Sequence, residues 1–197
     1  MIDKFCAYLT KKIREEMPEV DDERAEVIMY GLQNIIGELP KGIIILIIAY
    51  ILGIFKLTVI SILIIAPYRC VSGGVHMKTY TLLLYSGSSL LGKYIVLTGN
   101  VKIMLAIAIW IFCMIMIKLY APADTENLPI LRKKERKQKQ ILSYIIITSE
   151  ILIAIFIKNT TISGIIIFGD FIQTLTITRI AYKVTHNKYG HEIYAES

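Results

Sequence analysis

The chain has 197 residues, 55% of them hydrophobic and 19% charged, with a formal net charge of +6 and a mean hydropathy of +0.58. A soluble domain of this length spreads its apolar residues at helical or strand period, whereas here they come in blocks, which excludes an ordinary soluble domain. The excess positive charge lies in the connections between blocks, where it orients a chain in a bilayer and argues against a nucleic-acid partner.

Residues 1–33 predict an amphipathic, charged helical segment. Ile2, Phe5, Leu9, Ile13 and Met17 recur at three- to four-residue spacing, the apolar stripe of a helix. Pro18 breaks the pattern, and Asp21-Asp22 can cap a second helix starting near Glu23. Two placements are open for this segment: on the membrane surface with Lys11, Lys12 and Arg14 near headgroups, or as a hairpin packed on cytoplasmic loops. No apolar core with a small-residue cleavage site is visible in this region, so no cleavable signal peptide is expected. Glu38, just before Pro40, marks the water boundary of the first apolar run or faces the protein interior.

Six apolar runs follow, Gly42–Ile54, Leu57–Ala66, Thr81–Leu97, Ile103–Leu119, Ile141–Ile157 and Ile162–Ile180. Most approach the roughly 20 residues that a spanning helix needs. The expectation is an all-α integral membrane protein of about six transmembrane helices, forming a single domain over 1–197. Its bundle is expected at 34–183 and a cytoplasmic tail at 184–197. Arg69 and Lys78, the basic loop Arg132–Lys139, and Arg179, Lys183 and Lys188 alternate with sparse junctions holding Lys56, Lys102 and Lys158. The positive-inside rule then predicts a multi-pass protein with both termini in the cytoplasm. The basic loop is a topology determinant, with anionic lipid or an acidic peptide as a further ligand. The stretch 120–130, with Pro122, Pro129 and Asp124-Thr125-Glu126-Asn127, reads as an extended, turn-rich connector. Glu150 and Asp170 in the late runs read as a polar contact between helices, with a polar path as the alternative.

Between the second and third runs stands a polar interruption, Pro67-Tyr68-Arg69-Cys70-Val71-Ser72-Gly73-Gly74-Val75-His76-Met77-Lys78. Polar groups at the end of a spanning run are candidates for function. His76 suits proton transfer, because imidazole titrates near neutrality. Ser72-Gly73-Gly74 offers a backbone that can approach a substrate closely, with amide N–H groups able to steady an oxyanion. Arg69 offers a fork for a carboxylate or a peptide carbonyl. The phosphate-loop pattern, Cys-x-x-Cys pairs and His-Glu-x-x-His are absent from the sequence, so no metal or other cofactor is expected. Cys6, Cys70 and Cys113 are odd in number and far apart, so no disulfide framework is expected.

Arg69-x-x-Ser72-Gly73-Gly74-x-His76 at the end of an apolar run resembles the signature of the accessory gene regulator B (AgrB) family. The likeness extends over most of the chain: the charged N-terminal helix leading into Tyr30-Gly31-Leu32, the overall size, and the Ala121–Ile130 loop followed by a basic run. The resemblance implies a membrane cysteine endopeptidase of quorum sensing. Such an enzyme cuts an autoinducing propeptide with an amphipathic leader and an acidic C-terminal tail, through a thioester acyl-enzyme that closes to a cyclic thiolactone. It also implies a bacterial cell-membrane location, a homodimer, and a catalytic cysteine seven residues after the histidine. Arg69 and Gly74 would support substrate and backbone geometry. Seven residues are about two helical turns, so histidine and thiol share a face, and the imidazole lets the thiol react as thiolate.

This chain departs from that pattern at one position, because Leu83 stands where the cysteine is expected. Leucine cannot be a nucleophile. Three explanations stand side by side: an introduced inactivating substitution, a natural homologue that lost catalysis, or service by another residue, with Cys70 or Ser86 as stand-ins. Cys113 and Cys6 read as packing or surface residues. Beside the peptidase reading stand a non-catalytic peptide-binding scaffold or peptide-export partner and, as a third idea, a channel or small transporter.

Overall fold

The computed structural model describes residues 2–17, 20–75, 81–124, 130, 132–190 and 192; at 2–4, 22–23, 26–27, 30, 33–35 and 37–38 it describes the backbone course alone. The side chain of Glu38 and the whole of His76 therefore lie outside the described residues. Among the described residues the chain is helical, with one isolated β-bridge between Gly73 and Ala123. It divides into two compact units, Met1–Ile48 and Ala49–Ser197.

The first unit holds α1 (Ile2–Glu16) and most of α2 (Asp22–Ile51). Asp21 caps α2 as expected: its Oδ1 accepts from Arg24 N at 2.8 Å, satisfying an N–H that has no partner inside the helix. The second N-terminal helix and the first apolar run are one continuous helix, which passes through Pro40 without ending.

The second unit contains α3 (Phe55–Ser72), a π-helical turn (Leu83–Gly87) leading into α4 (Ser88–Tyr94), α5 (Gly99–Tyr120), α6 (Lys133–Phe156), α7 (Thr160–Thr176) and α8 (Arg179–Val184). α5 turns Ala106, Ile109, Cys113 and Ile117 inward at three- and four-residue spacing, while Met104, Ile107, Ile111, Ile115 and Leu119 stay exposed. A helix apolar all round is one meant for an apolar surround. α6 follows the same plan, burying Ile147, Ile151 and Ala154 and exposing Ile145, Leu152 and Ile153. Helix α7 is buried on most sides, from Ser163 through Ile167 and at Gly169, Asp170, Gln173 and Thr174.

Small residues bring α4 against α7. A Cβ on Gly92 would stand 2.7 Å from Ile165 N and Thr161 O, and one on Gly164 would stand 2.8 Å from Gly92 Cα. Ser61 and Ser88 hydroxyls meet at 2.8 Å between α3 and α4. Close backbone approach with hydroxyl pairing is how helices associate where no water drives them together. The C-terminal ends of α3, α5 and α7 meet through Gly73, Ala123 and Thr176. At the opposite end Lys102 Nζ donates to Ile157 O at 3.1 Å.

Among the described residues three helices, α3, α5 and α6, are long and apolar enough to cross a membrane, while α7 and Leu39–Ile51 of α2 are shorter apolar helices. The third apolar run, expected to span as Thr81–Leu97, is interrupted by the π turn, and its helix ends at Tyr94 with Ile95 extended. The basic run is no loop: from Lys133 onward it forms the first turns of α6. The polar interruption is likewise half helical, because α3 continues through Pro67 to Ser72 and only Gly73 leaves it.

Candidate functional site

Gly73 ends α3 with φ 73° and ψ −145°, and Gly74 follows at φ 124°. Both lie in the region that a side chain disfavours. Neither has room for one, since a Cβ on Gly73 would strike the Ala123 carbonyl and one on Gly74 would strike Thr176 Oγ1. The pair forms an arch held on two sides. On one, Gly74 N donates to Ala123 O at 2.9 Å and Ala123 N to Ser72 O at 2.8 Å. On the other, Val75 N donates to Thr176 O at 3.2 Å.

These bonds correct the expectation of an oxyanion hole here. Gly73 N donates to Arg69 O at 3.0 Å, so the amides of Gly73, Gly74 and Val75 all hold the arch rather than a ligand. Arg69 is engaged within the chain: its Nη1 donates to Gln173 Oε1 at 2.9 Å and its Nη2 to Val75 O at 3.0 Å, one bond to a side chain and one to backbone.

Gln173, fully buried in α7, completes the grip. Its Nε2 donates to Ser72 Oγ at 3.1 Å and Gly73 O at 2.8 Å. One turn of α7 thus binds the arch, its leading helix and the arginine together. The sequence reading missed Gln173. The signal was there: an amide inside an apolar run must find partners within the protein. Its neighbour Thr174 meets the Tyr68 hydroxyl at 2.8 Å and donates to Cys113 Sγ at 3.1 Å, so Cys113 is buried and engaged in packing.

The Ala121–Asp124 segment is held in turn. Tyr182 OH donates to the carbonyls of Ala123 and Asp124 at 3.0 and 2.9 Å. Asp124 Oδ2 stands 3.3 Å from Arg136 Nη1 on α6 and accepts from Ile130 N at 3.0 Å. Burial pushes the Tyr182 hydroxyl well above the ordinary tyrosine range, with Tyr189 and Asp124 adding to the rise and Arg69 opposing it. It therefore remains a neutral donor.

Leu83 opens the π turn and is 54% exposed, while Leu84, Tyr85 and Ser86 behind it are buried. A π turn adds a residue to the helical register and is frequent at functional sites. Position 83 is thus an accessible one. Among the possible stand-ins, Cys70 is exposed at the end of α3, and Ser86 Oγ is buried with no hydrogen-bond partner among the described residues. Cys6 is buried in the first unit. Asp170 and Glu150 face each other between α7 and α6, and among the described residues no other group donates to Asp170 or to Glu150 Oε2. Among the described residues no group of acidic, histidine and cysteine side chains is arranged to hold a metal.

Comparison with known proteins finds relatives over most of the chain. A protein described as AgrB-like from Listeria innocua is 29% identical over 175 residues, covering 86% of this chain and 84% of its own. Another from Clostridium perfringens (strain 13 / Type A) is 28% identical over 202 residues, covering 91% and 92%. A third from Clostridium acetobutylicum is 25% identical over 169 residues, covering 81% and 77%. No solved structure matches the chain. The model of the accessory gene regulator B family spans residues 3–177, a stretch that runs through the Gly-Gly arch, the π turn and Gln173, and the chain belongs to that family.

Proposed function

We propose that this protein takes up an autoinducing propeptide, with an amphipathic leader and an acidic tail, at the arch leading to His76. In its present sequence it lacks the thiol needed to cut that peptide. The observation that supports this reading is the arch. Gly73 and Gly74, Arg69, Gln173 and Ala123 hold the backbone entering His76 in one conformation, a preorganised support of the kind catalytic groups require. The residue departing from the family pattern is Leu83, at an accessible position.

With cysteine at 83, the imidazole of His76 takes the thiol proton and the sulfur adds to a peptide carbonyl. The C–N bond breaks, the amine leaves with the proton, and a thioester remains. A cysteine thiol of the substrate then displaces the enzyme sulfur, giving the cyclic thiolactone and returning the proton to the enzyme. The sparse lysines 56, 102 and 158 and the basic remainder support a multi-pass arrangement with the arch and both termini on the cytoplasmic face. Family resemblance adds a homodimer.

The test reconstitutes the parent and Leu83→Cys in liposomes with the cognate propeptide. The parent is expected to bind without cleaving, and the variant to cleave and to form a mass-detectable thioester. Absence of both binding and cleavage overturns the proposal. A non-catalytic peptide-binding scaffold or export partner is the second reading, favoured by Leu83 itself. It is selected if Leu83→Cys binds the peptide and restores nothing.

A further inference from the structure

Beyond the end of α7 lies an open cleft of about 560 Å³, lined by Arg179, Lys183, Lys188, Tyr182, Tyr189 and, at one edge, Glu192. We propose that this cleft, with the outward face of α8, binds the headgroup of an anionic phospholipid.

The charge is uneven in a way that leaves cations available. Glu192 Oε1 stands 2.7 Å from Arg179 Nη2, and among the described residues no carboxylate pairs with Lys183 or Lys188. Both tyrosines present ring rather than hydroxyl. They stack at 4.0 Å between centroids and 4° between planes, while Tyr182 OH is engaged by Ala123 and Asp124 and Tyr189 OH donates to Ile177 O at 2.9 Å. Burial raises both hydroxyls, so no phenolate opposes an anion. The turn that carries Lys188 is also fixed. His186 sits at φ 54°, Asn187 N donates to Tyr182 O at 3.0 Å, and Asn187 Nδ2 donates to Thr185 Oγ1 at 2.8 Å. With the Asn187 donor engaged there, the anion would be met by the two ammonium groups.

The neighbouring surface decides which anion. Ile180 and Val184, one helical turn apart on α8, are 76% and 65% exposed and flank the row Arg179–Lys183. A short helix with an apolar face beside a cationic one, just past the end of an apolar helix, matches the boundary between acyl chains and headgroups. A free phosphate or an acidic peptide in water has no use for that exposed pair. A phospholipid satisfies both faces at once, its phosphate between Lys183 and Lys188 and its upper acyl chain against Ile180 and Val184. The cleft wall is also tied to the arch, because Tyr182 holds the carbonyl of Ala123, which in turn accepts from Gly74.

The test uses the full chain in detergent and nanodiscs, probed with phosphatidylglycerol, phosphatidylcholine, inorganic phosphate and a short poly-glutamate peptide. Native mass spectrometry is expected to find phosphatidylglycerol retained and phosphatidylcholine not. Phosphate alone is expected to bind far more weakly than the lipid. Lys183→Gln with Lys188→Gln should weaken phosphatidylglycerol binding about 30-fold, since each lysine near an anionic surface carries about a fivefold share. Ile180→Ser with Val184→Ser should weaken lipid binding and leave phosphate binding unchanged. A photoreactive phosphatidylglycerol on the unmodified chain should label the segment 179–189, a measurement that needs no variant to fold. Labelling confined to other segments overturns the proposal, as does retention of lipid within twofold by the double lysine variant. Phosphate binding as tight as lipid, or poly-glutamate displacing the lipid with equal effect on the Ile180/Val184 variant, would assign the cleft to a soluble anion instead.

Discussion

Removing the Gln173 side chain would leave the fully buried Ser72 hydroxyl and the half-buried Arg69 Nη1 and Gly73 carbonyl each short of a partner. Orphaned groups of this kind cost about 1–3 kcal/mol each, so Gln173→Ala is expected to lower stability by at least about 2 kcal/mol. Thermal unfolding in detergent checks this, and an unchanged midpoint would remove Gln173 from its place in the network. At this scale the sequence was partly legible. Gly74 was singled out, and its φ and its closeness to Thr176 explain why glycine stands there. Arg69 was singled out without its partner Gln173, because one chain of letters does not reveal that an amide 104 residues away lies within 2.9 Å.

Between elements, the seam of α4 and α7 depends on glycine at the contact. The Cα of Gly92 stands 2.8 Å from where a Gly164 Cβ would be, and rigid backbone cannot yield to a branched side chain. Gly164→Val should therefore separate the helices and cost about 3 kcal/mol or more, near the upper end of overpacking. Gly31→Val, at a glycine whose Cβ would meet nothing within 4 Å, should cost nothing and gain about 0.3 kcal/mol, since valine is the better helix former. Comparing the two variants by unfolding midpoint and monodispersity decides the matter, and equal midpoints would dismiss the seam. Helix identity was largely readable here from unbroken apolar runs. Helix length was less so: hydropathy does not register a π turn, nor a proline that a helix tolerates, as at Pro40 and Pro67.

Across the second unit, one hydroxyl joins the segment after α7 to the Ala123–Asp124 segment that braces the arch. Tyr182 stays neutral in the folded state while its unfolded counterpart ionises near pH 10, about the free tyrosine value. A raised folded value means that this contribution is complete below about pH 10 and is lost as pH rises through the folded value. Tyr182→Phe should lower stability by about 1–2 kcal/mol near neutrality and flatten the fall above about pH 10 relative to the parent. Lysines titrate in both proteins, so the difference between the two curves is the measurement. Superimposable curves would show that the bond to Ala123 and Asp124 contributes nothing.

The amino-acid sequence by itself determined the helical class, the membrane character, the cap at Asp21 and the motif from Arg69 to Gly74, because each is written in local composition or short spacing. Only the tertiary structure decided what the motif's polar groups do. The amides of Gly73, Gly74 and Val75 and the fork of Arg69 turn inward to Ala123, Thr176 and Gln173. Buried polar groups must be paired, and their partners come from helices distant in sequence that packing alone brings to one end of the bundle.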